Sequence, residues 1–198
     1  LSLREFSNLW NPDLSSKSLW KTVNSVMQAT RSPLLKVPSE VFLPVNVPLL
    51  LYNGSAAYEN GQLTQLKIID LPLWDTVRTL RKLFPDMNLE IQGVKSHYLI
   101  NPQPGMVALY ENLQWRYKLA DWGEDTGPFL KFSLFGTPEK PVVGDLFEGS
   151  QEQLCRFDEA EQILRDLYGD KVEVFRAAPR IIDVHAKGVS KNAAARTL

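Results

Sequence analysis

The sequence predicts an α/β protein, a mostly antiparallel sheet with helices on one face, set between two pieces of a second, incomplete α/β domain. Three observations carry this. Residues 63–186 read as helix, two strands, helix, strand, helix and two strands, so that helices fall between groups of strands. Residues 1–62 read as a strand, a proline-interrupted stretch, a buried strand and a hairpin, and 187–198 as a last helix with no strand after it. These flanks hold too few strands to complete a parallel sheet. The expected division is therefore 1–62 as a partial core, 63–186 as an inserted α+β domain and 187–198 as the return to the core.

The elements follow in chain order. "LSLREFSNLW" spaces Leu3, Phe6 and Trp10 as a helix would. "TVNSVMQAT" can form a strand ending at Thr30, and the four prolines of "RSPLLKVPSEVFLPVNVP" keep any helix there short. "LLLYNG" is a buried strand, and "SAAYENGQLTQLKI" is a hairpin turning at Asn60-Gly61. "DLPLWDTVRTLRKLFP" is an amphipathic helix with Leu73, Val77, Leu80 and Phe84 on one stripe and Pro85 as its stop. "NLEIQG" and "SHYLIN" are strands, "PGMVALYENLQWRYK" a helix and "PFLKFSLFG" a strand by alternation. A helix over 150–168 stops at Gly169, and "KVEVFRAAPRIIDVHAKG" is a hairpin turning near Ala178-Pro179. A helix over 190–198 ends the sequence.

Composition narrows the function. The 198 residues are 44% hydrophobic and 23% charged, with 22 basic and 23 acidic side chains, an ordinary soluble balance. No basic footprint points to nucleic acid or an anionic membrane surface. The longest apolar runs are too short to cross a bilayer, and no basic-then-apolar leader opens the sequence, so a cytoplasmic protein is expected. The lone Cys155 permits no internal disulfide and reads as a half-buried small apolar residue of a helix. With only His97 and His185 as histidines, a zinc site of the usual Cys/His spacing is excluded.

"GVSKNAAARTL", at 188–198, places Lys191 at the mouth of a short alanine-rich helix. A cation at that end opposes the helix dipole unless an anion faces it. Spacing alone leaves two readings: a lysine aimed at a bound anion, or a solvated first-turn residue behind Ser190 as N-cap.

"ATRSP", "PLLLYNGSAAY", "FLKFSLFG" and "RIIDVHAKGVSKNAAARTL", in this order around a cap-sized insert, resemble the haloacid dehalogenase superfamily. The subgroup is the Cof-type and sucrose-phosphate-phosphatase-like phosphatases, and the resemblance covers nearly the whole chain. It implies a partial Rossmann-like core with an inserted α+β cap, and phosphate-monoester hydrolysis through an aspartyl-phosphate with Mg²⁺. Thr30 matches the phosphoryl-binding motif, although "ATRSP" lacks the glycine of the usual "ATGRSP"; Arg31 takes the arginine place. Asn53 and Gly54 match the Asn-Gly of the third core strand, with Ser55 replacing alanine. Lys191 matches the lysine that neutralises nucleophile and phosphoryl group, followed by Asn192 where glycine is usual. From the cap, Trp122 and His97 are candidates to hold a sugar, with Trp115 and Tyr117 also available.

Two of the family's four motifs are missing. No Asp-x-Asp occurs in the sequence, and no Gly-Asp-x-x-Asn-Asp follows Lys191. Asp121 and Asp125 read as a solvated acidic loop, and the Gly144-Asp145 pair as a cap loop. Laying "FSNLWNPDL" over the nucleophile motif would put Asn8 and Trp10 where aspartates belong, and neither can do their chemistry. The chain as given is therefore expected to hydrolyse nothing by the family's mechanism and to bind no Mg²⁺ in the family's manner. Two readings stand: part of a phosphatase for phosphorylated sugars or other small phosphate esters, with Mg²⁺ in the intact parent, or a degenerate, non-catalytic relative that binds a protein partner.

Overall fold

The computed structural model describes residues 49–59, 62–93, 96–115, 117–120, 123 and 128–190. The elements expected over 1–30, and all but the first residue of the helix expected over 190–198, lie outside these residues. A three-stranded antiparallel sheet runs β1 (Leu49–Leu51), β2 (Ala56–Glu59) and β3 (Gln62–Leu66). Glu59 pairs with Gln62 in the antiparallel β2–β3 ladder, and the Asn60-Gly61 turn expected between them lies outside the described residues.

A six-stranded sheet holds β4 (Asn88–Gly93), β5 (His97–Ile100), β6 (Lys118–Leu119), β7 (Phe129–Phe135), β8 (Val172–Ala178) and β9 (Ile181–Ala186) in the order β6-β5-β4-β7-β9-β8. Every pair is antiparallel except the short β5–β6 contact. The helices are α1 (Leu73–Leu83), α2 (Pro104–Asn112) and α3 (Gln151–Tyr168). The fold is mixed α/β, as expected, and no described helix is long and apolar enough to cross a membrane.

Helices α1 and α3 lie on one face of the large sheet. Val77, Leu80, Phe84, Phe157, Ala160 and Leu164 pack with Leu89, Ile91, Phe132, Leu134, Val174, Ile182 and Val184 in the main core. The α1 stripe is the one the sequence predicts, and the chain turns out at Phe84 just before Pro85. A capping box starts α3: Ser150 Oγ accepts from the Gln153 N–H, and Gln153 Oε1 accepts from the Ser150 N–H. Cys155 sits exposed on this helix, not half-buried as expected.

Helix α2 departs from the expected one-sided arrangement. Met106, Leu109 and Tyr110 pack with Leu99 and Phe135, whose side chains point away from the main core. The helix also ends at Asn112, short of the expected span to Lys118. Gln114 takes a left-handed φ of 54°, and the chain folds back so that Trp115 and Tyr117 meet the Tyr110 ring edge-on at 5.2 and 5.5 Å. Burying these rings outweighs the two further helical turns that periodicity suggests. Gly105 is required here, because a Cβ at that position would lie 2.5 Å from the carbonyl oxygen of Pro138.

The loop from β7 to α3 is held by one arginine. Arg180, in the β8–β9 turn, is 4% exposed. Its Nε donates to the Glu148 carbonyl at 2.7 Å and its guanidinium to the carbonyls of Thr137 and Asp145, and it pairs with Asp145 Oδ2 at 3.2 Å. The "VVGDLFEG" loop is thus a structural staple. Asp145 is held below the usual carboxylate range, first by the Glu139 N–H and then by Arg180. Replacing Arg180 by Met removes every one of these donors while keeping much of the side-chain volume. We expect a loss of about 3 kcal/mol in urea unfolding; an unchanged midpoint would show that the staple is dispensable.

Candidate functional site

The chain leaves β1 into Tyr52-Asn53-Gly54, whose φ values are 50°, 56° and 100°. Three successive left-handed residues are unusual. Glycine adopts this region freely and asparagine tolerates it, but for tyrosine it is strained. Such a turn persists where its surroundings over-determine it. The turn closes through a Ser55 N–H bond to the Tyr52 carbonyl at 3.1 Å, and the Ser55 carbonyl accepts from Lys67 N–H at 2.7 Å.

What the turn packs against is the second face of the large sheet, which is polar and buried. Strand register sets out two rows across it. One row runs His97, Gln92, Lys131, His185 and Glu173; the next runs Leu99, Glu90, Ser133, Asp183 and Phe175. Glu90, Gln92, His97, Ser133, Asp183 and His185 are all buried. A buried charge must be paired and hydrogen-bonded to be tolerated. Asp183 accepts from Lys131 Nζ at 2.8 Å and from Ser133 Oγ at 2.8 Å. Glu90 lies 3.4 Å from His97 Nδ1. Tyr52 sits beside His97, with ring centroids 6.3 Å apart, and burial, reinforced by Glu90, pushes its phenol up to about 12.

Asn53 and Ser55 complete the network. Asn53 Nδ2 lies 3.2 Å from Asp183 Oδ2 and 3.2 Å from His185 Nε2. Ser55 Oγ lies 3.3 Å from His185 Nδ1 and 3.3 Å from the Leu130 carbonyl. One proton assignment satisfies every contact: the Asn53 amide donates to both Asp183 and Nε2, Nδ1–H donates to Ser55 Oγ, and the Ser55 hydroxyl donates to Leu130. It requires neutral His185. Burial first, then the nearby Lys131, lowers that imidazole to about 4 despite Asp183. Burial raises Asp183, but Lys131 and Ser133 outweigh it and hold the carboxyl below its ordinary range.

Of the residues the sequence singles out, Asn53 and Gly54 lie in this turn. His97 is buried beneath Tyr52 at 2% exposure. Trp115 and Tyr117 serve the second core with Tyr110. Thr30, Arg31, Trp122 and Lys191 lie outside the described residues, as do Asp121 and Asp125. Strand β9, which carries Asp183 and His185, ends at Ala186, five positions before Lys191 in sequence. His185 is fully buried. Lys131, Ser133 and Glu90 are site residues that the sequence reading misses. Their signal was the period-two placement of polar residues in "LKFSLF" and "NLEIQG", one polar face per strand.

Comparison with known proteins matches this architecture. No family model matches the chain, and no curated protein matches it in sequence. Solved structures match in fold. A haloacid dehalogenase-like hydrolase from Bacteroides thetaiotaomicron gives a TM-score of 0.62 at 14% identity, over 93% of this chain and 71% of that one. A haloacid dehalogenase-like hydrolase from B. subtilis gives 0.57 at 14% identity, over 88% and 69%. A subclass IIB sugar phosphatase of the same superfamily gives 0.58 at 14% identity, over 92% and 66%. The chain has the haloacid dehalogenase-like fold and spans about two thirds of the length of these structures.

The buried imidazole makes stability depend on pH. Its folded value, about 4, lies below the ordinary 6.5, so the unfolded chain takes up a proton that the folded chain refuses. The stabilisation is complete above pH 6.5 and is lost as the pH falls to about 4; it amounts to roughly 3 kcal/mol. Asp183, being lowered, withdraws its own contribution only at still lower pH. Urea midpoints should therefore fall between pH 7.5 and pH 4.5, and His185→Gln should flatten that dependence. An equally steep fall in the variant would assign the effect to other groups.

Proposed function

We propose that this chain carries the phosphoryl-binding side and the substrate-facing cap of a haloacid dehalogenase-type phosphatase for phosphate monoesters, sugar phosphates among them. On this reading residues 1–62 and 187–198 belong to the core, and 63–186 form the cap. The observation that carries it is the left-handed Tyr52-Asn53-Gly54 turn, seated against a buried polar sheet face. The fold likeness to a sugar phosphatase supports the same reading.

Each residue then has a role. The Thr30 hydroxyl and the Arg31 guanidinium hold phosphoryl oxygens, and Lys191 supplies full positive charge against them. Asn53 and Gly54 form the wall beside that grip. Trp122, from the cap, bears on the rest of the ester, whereas His97, expected to join it, is buried beside Tyr52 and backs the turn instead. Mg²⁺ chemistry does not fit the donors in view. Among the described residues no three His, Cys, Asp or Glu side chains are grouped to hold a metal ion, and the sequence contains no Asp-x-Asp. The chemistry assigned to this chain is therefore binding of the phosphoryl group, not its transfer. The degenerate, non-catalytic alternative draws on the missing glycine between Thr30 and Arg31 and on Asn192 after Lys191.

Inorganic phosphate titrated into the chain and followed by ³¹P NMR tests the binding, and p-nitrophenyl phosphate or sucrose 6-phosphate with Mg²⁺ tests the chemistry. We expect saturable phosphate binding, weakened about tenfold or more by Lys191→Ala through loss of a charge-assisted bond. We also expect no turnover above a metal-free blank. A chain that ignores phosphate overturns the reading. Turnover would point to a carboxylate nucleophile outside the family's motif, with Asp13 the first to replace.

A further inference from the structure

The Asn53 turn is strained, and its own backbone closes it with a single bond, from the Ser55 N–H to the Tyr52 carbonyl. Among the described residues, the side-chain bonds to Asn53 come from the large sheet. Asp183 Oδ2 and His185 Nε2 each lie 3.2 Å from Asn53 Nδ2, and these two acceptors take both of its N–H bonds. Both acceptors stand two residues apart on β9, so one strand supplies the whole clamp. Their own positions are fixed from behind: Asp183 by Lys131 and Ser133 of β7, His185 by Ser55 and by the Phe175 ring of β8 at 5.7 Å. The Leu130 carbonyl closes the circuit from β7 back to the turn through Ser55.

We propose that Asp183 and His185 are positioning residues for the Asn53-Gly54 turn, through which the six-stranded sheet dictates the turn's left-handed conformation. Resting on the phosphatase reading above, the same clamp sets the geometry of the phosphate grip. Neither residue needs to touch the phosphoryl group. Asp183 acts as an acceptor for the amide, and its charge is cancelled by Lys131 before it can repel an anion. His185 acts as an acceptor only while neutral, so the clamp is complete near neutral pH and weakens on acidification. The charged and titratable groups facing it are Lys131 and Asp183, with Glu173 opposite on β8 and Glu90, His97 and Tyr52 farther along the same face.

The test uses the ¹⁵N-labelled chain with the Asn53 side-chain amide assigned. Variants are Asp183→Ala, Asp183→Asn, His185→Gln and the control Glu173→Gln. In the native chain the two Asn53 Nδ2 protons should exchange slowly, and their shifts should follow the titration of His185. Asp183→Ala should speed their exchange about tenfold, the loss of one hydrogen bond. Asp183→Asn, which keeps an acceptor, should restore most of the protection. His185→Gln should abolish the pH dependence without abolishing the protection, and Glu173→Gln should change neither. A parallel inorganic phosphate titration should show Asp183→Ala binding about tenfold more weakly, a typical coupling between groups that share one element. Native-like Asn53 signals in a folded Asp183→Ala variant overturn the proposal, whatever phosphate does. Protected, pH-linked Asn53 signals in a native chain that does not bind phosphate uphold the clamp and overturn the phosphatase reading instead.

Discussion

A carboxylate, an ammonium and an imidazole share one buried sheet face in this protein, and each must be paired to be there. Asp183 is the hub. Burying it alone would cost several kcal/mol even after relaxation. Lys131 repays part of that by charge, Ser133 by a hydroxyl bond, and Asn53 by an amide bond from another sheet. The last contact is one of several that join the two sheets, with Asn53–His185, Ser55–His185 and Ser55–Leu130 beside it. Without the large sheet Asn53 loses both of its acceptors, and without the turn Asp183 loses its amide donor and His185 its bonds to Asn53 and Ser55. Polar satisfaction and backbone strain are two sides of one arrangement.

The sheet keeps its two faces chemically apart. Its apolar side is sealed by α1 and α3 and supplies the bulk of the hydrophobic stabilisation. Its polar side is closed by α2 and its aromatic cluster at one end and by the 52–55 turn farther along. A sheet covered on both sides would ordinarily be apolar on both. Polar rows that stay buried mark a surface shaped for something other than stability. Arg180 belongs to a different device: it lies in the β8–β9 turn and satisfies loop carbonyls that would otherwise be stranded, leaving the polar rows to their own pairing.

Much of the large sheet is legible in the sequence. The amphipathic stripe of Leu73, Val77 and Leu80, the alternation of "FLKFSLF", the stop of the third helix at Gly169 and the turn near Pro179 each encode their element locally. Asn53 and Gly54 could be singled out only through the resemblance, as the match to the Asn-Gly of the third core strand, and not through any local backbone signal. The end of α2 was not legible: helical periodicity continues through Trp115, and only the return of that ring onto Tyr110 stops the helix. Nor was the burial of His185 and Asp183, since alternation says that two side chains share a face but not what lies over it.

The sequence by itself determined most of the strands and helices, which of their residues share a face, and the absence of an Asp-x-Asp nucleophile, because all of these follow from period, propensity and residue chemistry; the end of α2 and the short strand β6 after it were decided by the fold. The tertiary structure alone decided that the polar face is covered, that Lys131 meets Asp183, and that Asn53 spans to residues 130 and 132 positions away. Those contacts depend on strand order and register across β7, β9 and β8, and no local pattern in the chain encodes an order in which distant strands lie side by side.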